Sequence, residues 1–270
     1  MDSENQTEPP LSETPPDSEA KFRRKGIYLL PNLFTTGALF AGFYAIVSAI
    51  NGSYETAAIS IFVAMALDGV DGRIARITNT QSDFGAEYDS LADMVSFGLA
   101  PALVAYEWLL TDLGKIGWLG AFVFTATAAL RLARFNTQAR VIDKRYFQGL
   151  PSPAAAAVIA GIIWFVESYS LKAVLPTGSV LFSATIAMAL LMVSNIRYYS
   201  FKEFDLRGRV PFVAVLAIVL AFAFISIDPA AVLAFGFLGY ATSGPLMTLV
   251  QIRRRRIQRK RAARSGHDVG

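Results

Sequence analysis

The sequence predicts an all-α membrane protein, a polytopic helical bundle of about eight transmembrane helices. Apolar residues make up 54% of the 270 residues and charged residues only 17%, a composition typical of chains that lie mostly in lipid. Apolar stretches long enough to cross about 30 Å of hydrocarbon recur between residues 29 and 252. They lack the alternation of barrel strands, so helices are the structure that satisfies their backbone in lipid.

The predicted spans follow one another with short connections. In chain order they are 29–50, 55–78, 83–108, 116–139, 152–171, 175–195, 210–227 and 229–252. Only the segment "SIDPA" separates the last two, which requires a tight turn at Asp228, and Pro229 suits the first turn of a helix. Residues 1–20 hold six acids, four prolines and no base, so a disordered acidic tail is predicted there.

The basic residues predict the orientation of these spans. All but two of the 25 Lys and Arg fall on one side of the eight-span topology, and Lys115 and Lys172 alone fall on the other. The positive-inside rule then places both termini in the cytoplasm. The predicted domains are the tail 1–20, a membrane-embedded domain 21–252 and a basic cytoplasmic tail 253–270. That basic tail either binds anionic headgroups or only anchors the topology, and no nucleic-acid partner is expected.

The composition restricts the chemistry. The sequence contains no cysteine, and its single histidine, His267, lies in the polar C-terminal segment. Disulfides, thiolate catalysis and Cys- or His-ligated metals in the membrane domain are therefore excluded.

The most charged part of the membrane domain is residues 66–98, "ALDGVDGRIARITNTQSDFGAEYDSLADMVSFG". Successive residues of a helix are rotated by about 100°, so residues three or four apart share a face. On this basis, one face of the second predicted helix carries a first polar stripe. One face of the third carries a second stripe, with residues at i, i+4 and i+8. The first stripe holds Asp68, Asp71, Gly72 and Arg76, and the second holds Gly85, Asp89 and Asp93. The short connection makes these helices antiparallel neighbours, so four carboxylates are predicted to converge.

Four carboxylates at bilayer depth would cost about 10 kcal/mol without compensation. Oxygen ligands without Cys or His suit Mg²⁺, Mn²⁺ or Ca²⁺ rather than Zn²⁺. Two ions held by the four aspartates would leave positions for phosphate oxygens, and Arg76 could bind a phosphate or a carboxylate. Gly72 and Gly85 would let a ligand approach the backbone, although close helix packing is the alternative explanation.

The segment "DGVDGRIAR", eight further residues and "GAEYDSLAD" resemble the signature of the CDP-alcohol phosphatidyltransferase family. Members transfer a substituted phosphate from a CDP-linked donor to an alcohol and release CMP. The resemblance implies the CDP-alcohol phosphotransferase fold, a homodimer and two divalent cations, Mg²⁺ or Mn²⁺. It also implies two sets of residues. The metal ligands are Asp68, Asp71, Asp89 and Asp93, and Asp93 is also the general base. The CDP-binding residues are Asp68, Gly72, Arg76 and Gly85.

The residues themselves indicate direct attack of the alcohol on phosphorus. A carboxylate beside a metal is the available base. Because no Cys or His is within reach, a covalent enzyme intermediate is not expected, and kinetics should be sequential.

A second cluster bears on the acceptor alcohol. Arg131, Arg134 and Asn136 could recognise an anionic acceptor or the phosphate of the donor lipid, or the arginines could extend to headgroups as topology markers. Together "RLARFN", "GLPSPAAA" and "LLPNLFTTGALFAGF" resemble the family's integral-membrane branch whose acceptor is L-serine. This resemblance, over residues 22–212, implies CDP-diacylglycerol as donor, phosphatidylserine as product and the bacterial cytoplasmic (inner) membrane as location. Glycerol phosphate and inositol phosphate remain alternative acceptors.

A cation transporter is the alternative from another class, because intramembrane carboxylates also mark ion pathways. The second half of the chain shows no comparable carboxylate cluster, and the charges lie toward the cytoplasmic ends of their helices. Both observations favour the transferase.

Overall fold

The structure is a computed structural model that describes residues 17–78, 82–138, 146–173, 176–199 and 212–265. These residues are almost entirely helical, which confirms the predicted all-α fold. The helices are α1 (Asp17–Ile50), α2 (Tyr54–Thr78), α3 (Asp83–Asp93), α4 (Ala100–Trp108), α5 (Lys115–Gln138), α6 (Ser152–Ser168), α7 (Thr177–Val193), α8 (Phe212–Ile227) and α9 (Pro229–Ser265).

Three helical segments among the described residues are long and apolar enough to cross a membrane by length and composition: Asn32–Ile50, Lys115–Thr137 and Pro229–Val250. The apolar helices α6 and α7 are shorter, at 17 residues each. The predicted count of eight spans therefore stays a prediction.

The two ends of the helical bundle differ from the predicted boundaries. Helix α1 begins at Asp17 rather than near residue 29, so residues 17–20 of the predicted acidic tail are helical. Helix α9 continues through the basic segment to Ser265, because Arg, Lys, Gln and Ala are good helix formers. The division into tail, membrane domain and tail stays a prediction.

A short antiparallel ribbon joins the segments that follow α5 and α7, and no sequence pattern predicted it. Strands β1 (Tyr146–Gln148) and β2 (Arg197–Tyr199) pair in the register Tyr146 to Tyr199 and Gln148 to Arg197. Gly149 follows β1 with φ +78°, and a Cβ there would collide with the carbonyl of Met192, so only glycine fits.

The third predicted span is helical throughout but is not a single α-helix. Between α3 and α4 lies a π-helical turn, Met94–Leu99, in which the amide of Ala100 donates to the carbonyl of Val95, five residues back. Pro101, which has no amide hydrogen, lies two residues after the end of this turn. The extra residue of the turn changes the direction of the side chains in α4 relative to α3.

Small residues set the packing of the core. Helix α1 packs along α2, α6 packs against α2 and α9, and α5 packs against α7. The contact faces are rich in alanine, including Ala45, Ala49, Ala57, Ala155 and Ala160, all of them fully buried. Small side chains allow the helix backbones to approach closely, which is how helices associate in lipid.

Candidate active site

The carboxylates of the two polar stripes meet between α2 and α3. One oxygen from each of Asp68, Asp71 and Asp89 lies within 4.8 Å of the other two. Asp93 is adjacent, within hydrogen-bonding reach of Asp68 and in electrostatic contact with Asp89. The structure therefore brings together all four aspartates that the sequence analysis selected.

Helix α1 contributes a hydrogen bond to this cluster. Asp71 is only 4% exposed, and Thr35 of α1, equally buried, donates a 2.8 Å hydrogen bond to its Oδ2. This bond fixes one carboxylate oxygen of Asp71, and the backbone amide of Gly72 also hydrogen-bonds to this carboxylate. Thr35 was not among the predicted site residues, and a hydroxyl in an otherwise apolar helix is the only sequence signal that points to it.

The two glycines of the stripes have different surroundings. Among the residues that the structure describes, a Cβ added to Gly72 would meet nothing within 4 Å, so open space lies beside this position. A Cβ on Gly85 would lie 3.1 Å from the hydroxyl of Ser82 and 3.4 Å from Asn32. Ser82 caps α3 by accepting a 3.0 Å bond from the amide of Gly85.

Arg76 lies in α2 among the residues of the first stripe. Its side chain is outside the part of the chain that the structure describes, so its predicted contact with the CDP group stays a prediction.

Arg131 of α5 reaches the cluster from the other side. Its Nη1 donates a 2.8 Å bond to Ser152, at the start of α6, and its guanidinium interacts electrostatically with Asp93 and Tyr240. The buried Nε has no hydrogen-bond partner among the described residues. A guanidinium beside Asp93 with an unused donor is suited to binding an anionic group.

Arg134 and Asn136 have protein partners. Nη2 of Arg134 donates to Gln148 at 2.9 Å and to Asn195 at 2.6 Å, and so joins the segments that carry the two strands of the ribbon. Asn136 of α5 donates a 3.0 Å bond to Ser90 of α3. Their predicted role in binding serine or a lipid phosphate stays a prediction.

The turn that follows Asp93 is fixed against α1. Ser96, in the π-helical turn, donates a 3.1 Å bond to the carbonyl of Ala38. Gly42 allows this approach, because a Cβ there would lie 2.6 Å from the Ser96 hydroxyl and 2.7 Å from its Cα. The position of Asp93 is thus set directly by a turn that packs on α1.

The donor set fits a hard divalent cation. Oxygens bound to one ion with bonds of about 2.0–2.6 Å lie at most about 4–5 Å apart, which agrees with the 4.8 Å limit of the three carboxylates. Since Asp71 is almost fully buried among apolar helices, a cation would also offset the cost of its charge.

Fold and site together define a multi-pass membrane protein with a carboxylate cluster suited to a divalent cation. The family model described as CDP-alcohol phosphatidyltransferase matches residues 28–194, and the chain belongs to this family. The matched region ends before β2, α8 and α9.

Relatives in several organisms share one name, CDP-diacylglycerol–serine O-phosphatidyltransferase. The protein from Helicobacter pylori (strain ATCC 700392 / 26695) is 40% identical over 177 residues, which cover 66% of this chain and 74% of the relative. The protein from Bacillus subtilis (strain 168) is 35% identical over 174 residues, or 64% of this chain and 92% of the relative. A Methanocaldococcus jannaschii protein is 39% identical over 138 residues, or 51% and 61%.

Proposed function

We propose that this protein transfers the phosphatidyl group of CDP-diacylglycerol to the hydroxyl of L-serine, giving phosphatidylserine and CMP. The observation that carries this proposal is the cluster of Asp68, Asp71 and Asp89 with Asp93 beside it, in a chain of the CDP-alcohol phosphatidyltransferase family. The names of the relatives supply the donor and the acceptor.

The cluster divides into ligands and a base. Asp68, Asp71 and Asp89 would hold divalent cations, Mg²⁺ or Mn²⁺ and two in number, whose charge stabilises the phosphoryl oxygens and the departing nucleotide phosphate. Asp93, also a ligand in this proposal, takes the proton of the serine hydroxyl as it attacks phosphorus. The P–O bond to CMP breaks, and the new P–O bond joins serine to the lipid phosphate.

The remaining predicted residues bind the substrates. Open space beside Gly72 leaves room for the CDP group, with Arg76 and Gly85 on the same stripes. Arg131 binds an anionic group of the acceptor or of the donor lipid, since it lies beside Asp93 and has an unused donor. Arg134 and Asn136, on the same helix as Arg131, bind the same anionic group.

We place the protein in the bacterial cytoplasmic (inner) membrane as a homodimer with both termini in the cytoplasm. The distribution of Lys and Arg supports this orientation. The cluster then opens toward the cytoplasm, where serine is available.

The test is CMP release by the purified protein in detergent with CDP-diacylglycerol. Serine, glycerol phosphate and inositol phosphate are supplied singly, with Mg²⁺, with Mn²⁺ or with excess EDTA. We expect CMP and phosphatidylserine with serine, and loss of both with EDTA. Binding of Mn²⁺, followed by electron paramagnetic resonance, provides a readout that does not depend on turnover.

Two results would contradict the proposal in different ways. If only glycerol phosphate or inositol phosphate supported turnover, the proposed reaction type would stand and the proposed acceptor would be wrong. No Mn²⁺ binding and full turnover in EDTA would overturn the metal assignment.

A further inference from the structure

Helix α9 contains an internal proline that leaves a backbone carbonyl without its usual partner. Pro245 has no amide hydrogen, so it cannot donate to the carbonyl of Ala241, four residues earlier. A buried carbonyl without a partner is costly, and Ala241 is fully buried. Another donor is therefore required at this point of the helix.

Tyr198 of strand β2 supplies that donor. Its hydroxyl donates a 2.9 Å bond to the carbonyl of Ala241, and its side chain is only 1% exposed. Gly244 makes the approach possible, because a Cβ there would lie within 2.9 Å of the Tyr198 ring and of Ile196. Burial raises the pKa of Tyr198 to about 12, so the hydroxyl keeps its proton at physiological pH.

The same tyrosine contacts Tyr240 of α9. The rings of Tyr198 and Tyr240 lie 5.6 Å apart between centroids, tilted by 48°. Tyr240 in turn interacts electrostatically with Arg131, the guanidinium that lies beside Asp93. A hydrogen bond, a ring contact and an electrostatic interaction therefore link α9 near Pro245 to Arg131.

The ribbon that carries Tyr198 is itself attached to α5. Arg134, one turn after Arg131, donates hydrogen bonds to Gln148, the last residue of β1, and to Asn195, two residues before β2. The amide of Gly149 also donates a 2.8 Å bond to the carbonyl of Ile196. Tyr198 thus connects α9 to the helix that carries both arginines.

We propose that Tyr198 is a positioning residue for the acceptor alcohol, acting through Tyr240 on Arg131. The inference rests on the proposed function and adds that α9, outside the region matched by the family model, sets the geometry of acceptor binding. Loss of the Tyr198 hydroxyl should free the Ala241 carbonyl, loosen α9 near Pro245 and displace Tyr240.

The test is a double-mutant cycle of Tyr198→Phe and Pro245→Ala, because alanine at 245 restores the missing amide donor. We expect Tyr198→Phe to raise KM for serine about threefold to tenfold, the range of one hydrogen bond. KM for CDP-diacylglycerol and kcat should change less than about twofold. In the Pro245→Ala background, Tyr198→Phe should leave KM for serine unchanged.

Tyr44→Phe is the matched control, since this exposed tyrosine of α1 lies away from the ribbon. If Tyr198 had only a structural role, Tyr198→Phe would lower the melting temperature and would not raise KM for serine more than KM for CDP-diacylglycerol. An unchanged KM for serine in Tyr198→Phe, or an equal rise in both backgrounds, would overturn the inference.

Failure of the proposed function can be distinguished from failure of this inference. If the wild-type protein releases no CMP with serine, the function is wrong, and the cycle is repeated with the alcohol that supports release. The rate of amide hydrogen exchange in residues 236–248 provides a measurement that does not depend on which alcohol is the acceptor. Faster exchange in Tyr198→Phe, reversed by Pro245→Ala, supports the link, and unchanged exchange contradicts it.

Discussion

Asp93 differs from the other aspartates of the cluster in its neighbours. Asp71 is bound to Thr35 on the α1 side, whereas Asp93 faces both Asp68 and the guanidinium of Arg131. If the proposed function holds, a carboxylate between the other aspartates and Arg131 is well placed to meet the hydroxyl of the acceptor.

The first prediction concerns this residue. Asp93→Asn should lower turnover by about 10²–10⁴-fold, the usual contribution of a general base, while binding of CDP-diacylglycerol remains measurable by calorimetry. Glu87→Gln removes an exposed acid from the same helix and is the control. Substantial turnover by Asp93→Asn would show that another group takes the proton.

The second prediction uses the open space beside Gly72. Gly72→Ala adds a methyl group that meets no atom of the described residues within 4 Å, so the melting temperature should not fall. If the CDP group occupies that space, KM for CDP-diacylglycerol should rise about tenfold or more, because small displacements at a reacting centre are costly. Gly236→Ala in α9, which is equally unhindered, is the control. An unchanged KM would remove Gly72 from the CDP site.

Among the elements, the π-helical turn after α3 has the most direct effect on the site. It begins at Met94, immediately after Asp93, and Ser96 holds it on the Ala38 carbonyl of α1. Turns of this kind are frequent at functional sites. Here the turn begins directly after Asp93, which lies on the same stripe as Asp89, and the following residues, such as Phe97, pack into the core.

The third prediction tests that turn. Gly42→Ala would place a Cβ 2.7 Å from the Cα of Ser96, and backbone atoms cannot move aside easily. Overpacking of this kind costs about 1–3 kcal/mol, so the melting temperature should fall and turnover should fall with it. Gly236→Ala is again the control. Normal turnover at a normal melting temperature would mean that the π-helical turn does not fix Asp93.

At the scale of the whole molecule, the turn between α8 and α9 is held by hydrogen bonds of its own. Asp228 caps α9 by accepting a 3.0 Å bond from the amide of Ala231, and Tyr169, just after α6, donates a hydrogen bond to its other oxygen. The tight turn predicted at Asp228 and Pro229 is confirmed. These bonds lower the pKa of Asp228, with the Tyr169 hydroxyl as the main cause.

The fourth prediction follows from the sign of that shift. A carboxyl with a lowered pKa stabilises the fold above its unfolded pKa of about 3.9, and the contribution disappears as the pH falls through the lower folded value. Asp228→Ala should therefore melt a few degrees below the wild type at pH 7, with the gap closing below about pH 4. Asp112→Ala, in another turn, should show no such gap. A gap independent of pH would exclude the charge of Asp228 as its source.

Residues with a strict helical spacing were predictable from the sequence. Asp68 and Asp71 had to share a face of α2, as Asp89 and Asp93 did on α3, because the helix period fixes those directions. Thr35 and Ser152 could not be found in this way, because their partners lie 36 and 21 residues away. The same holds for Tyr198, whose acceptor is 43 residues further along the chain.

The sequence by itself determined that the protein is helical, lies in the membrane and carries four aspartates on two adjacent helices. Those properties are local, since they depend on hydropathy, on helix period and on one short connection. The packing of α1, α6 and α9 around α2, α3 and α5 decided which oxygen of Asp71 is held, where Arg131 lies and how Tyr198 reaches α9. Contacts between residues distant in the chain depend on how helix backbones fit together, and no local pattern specifies that fit.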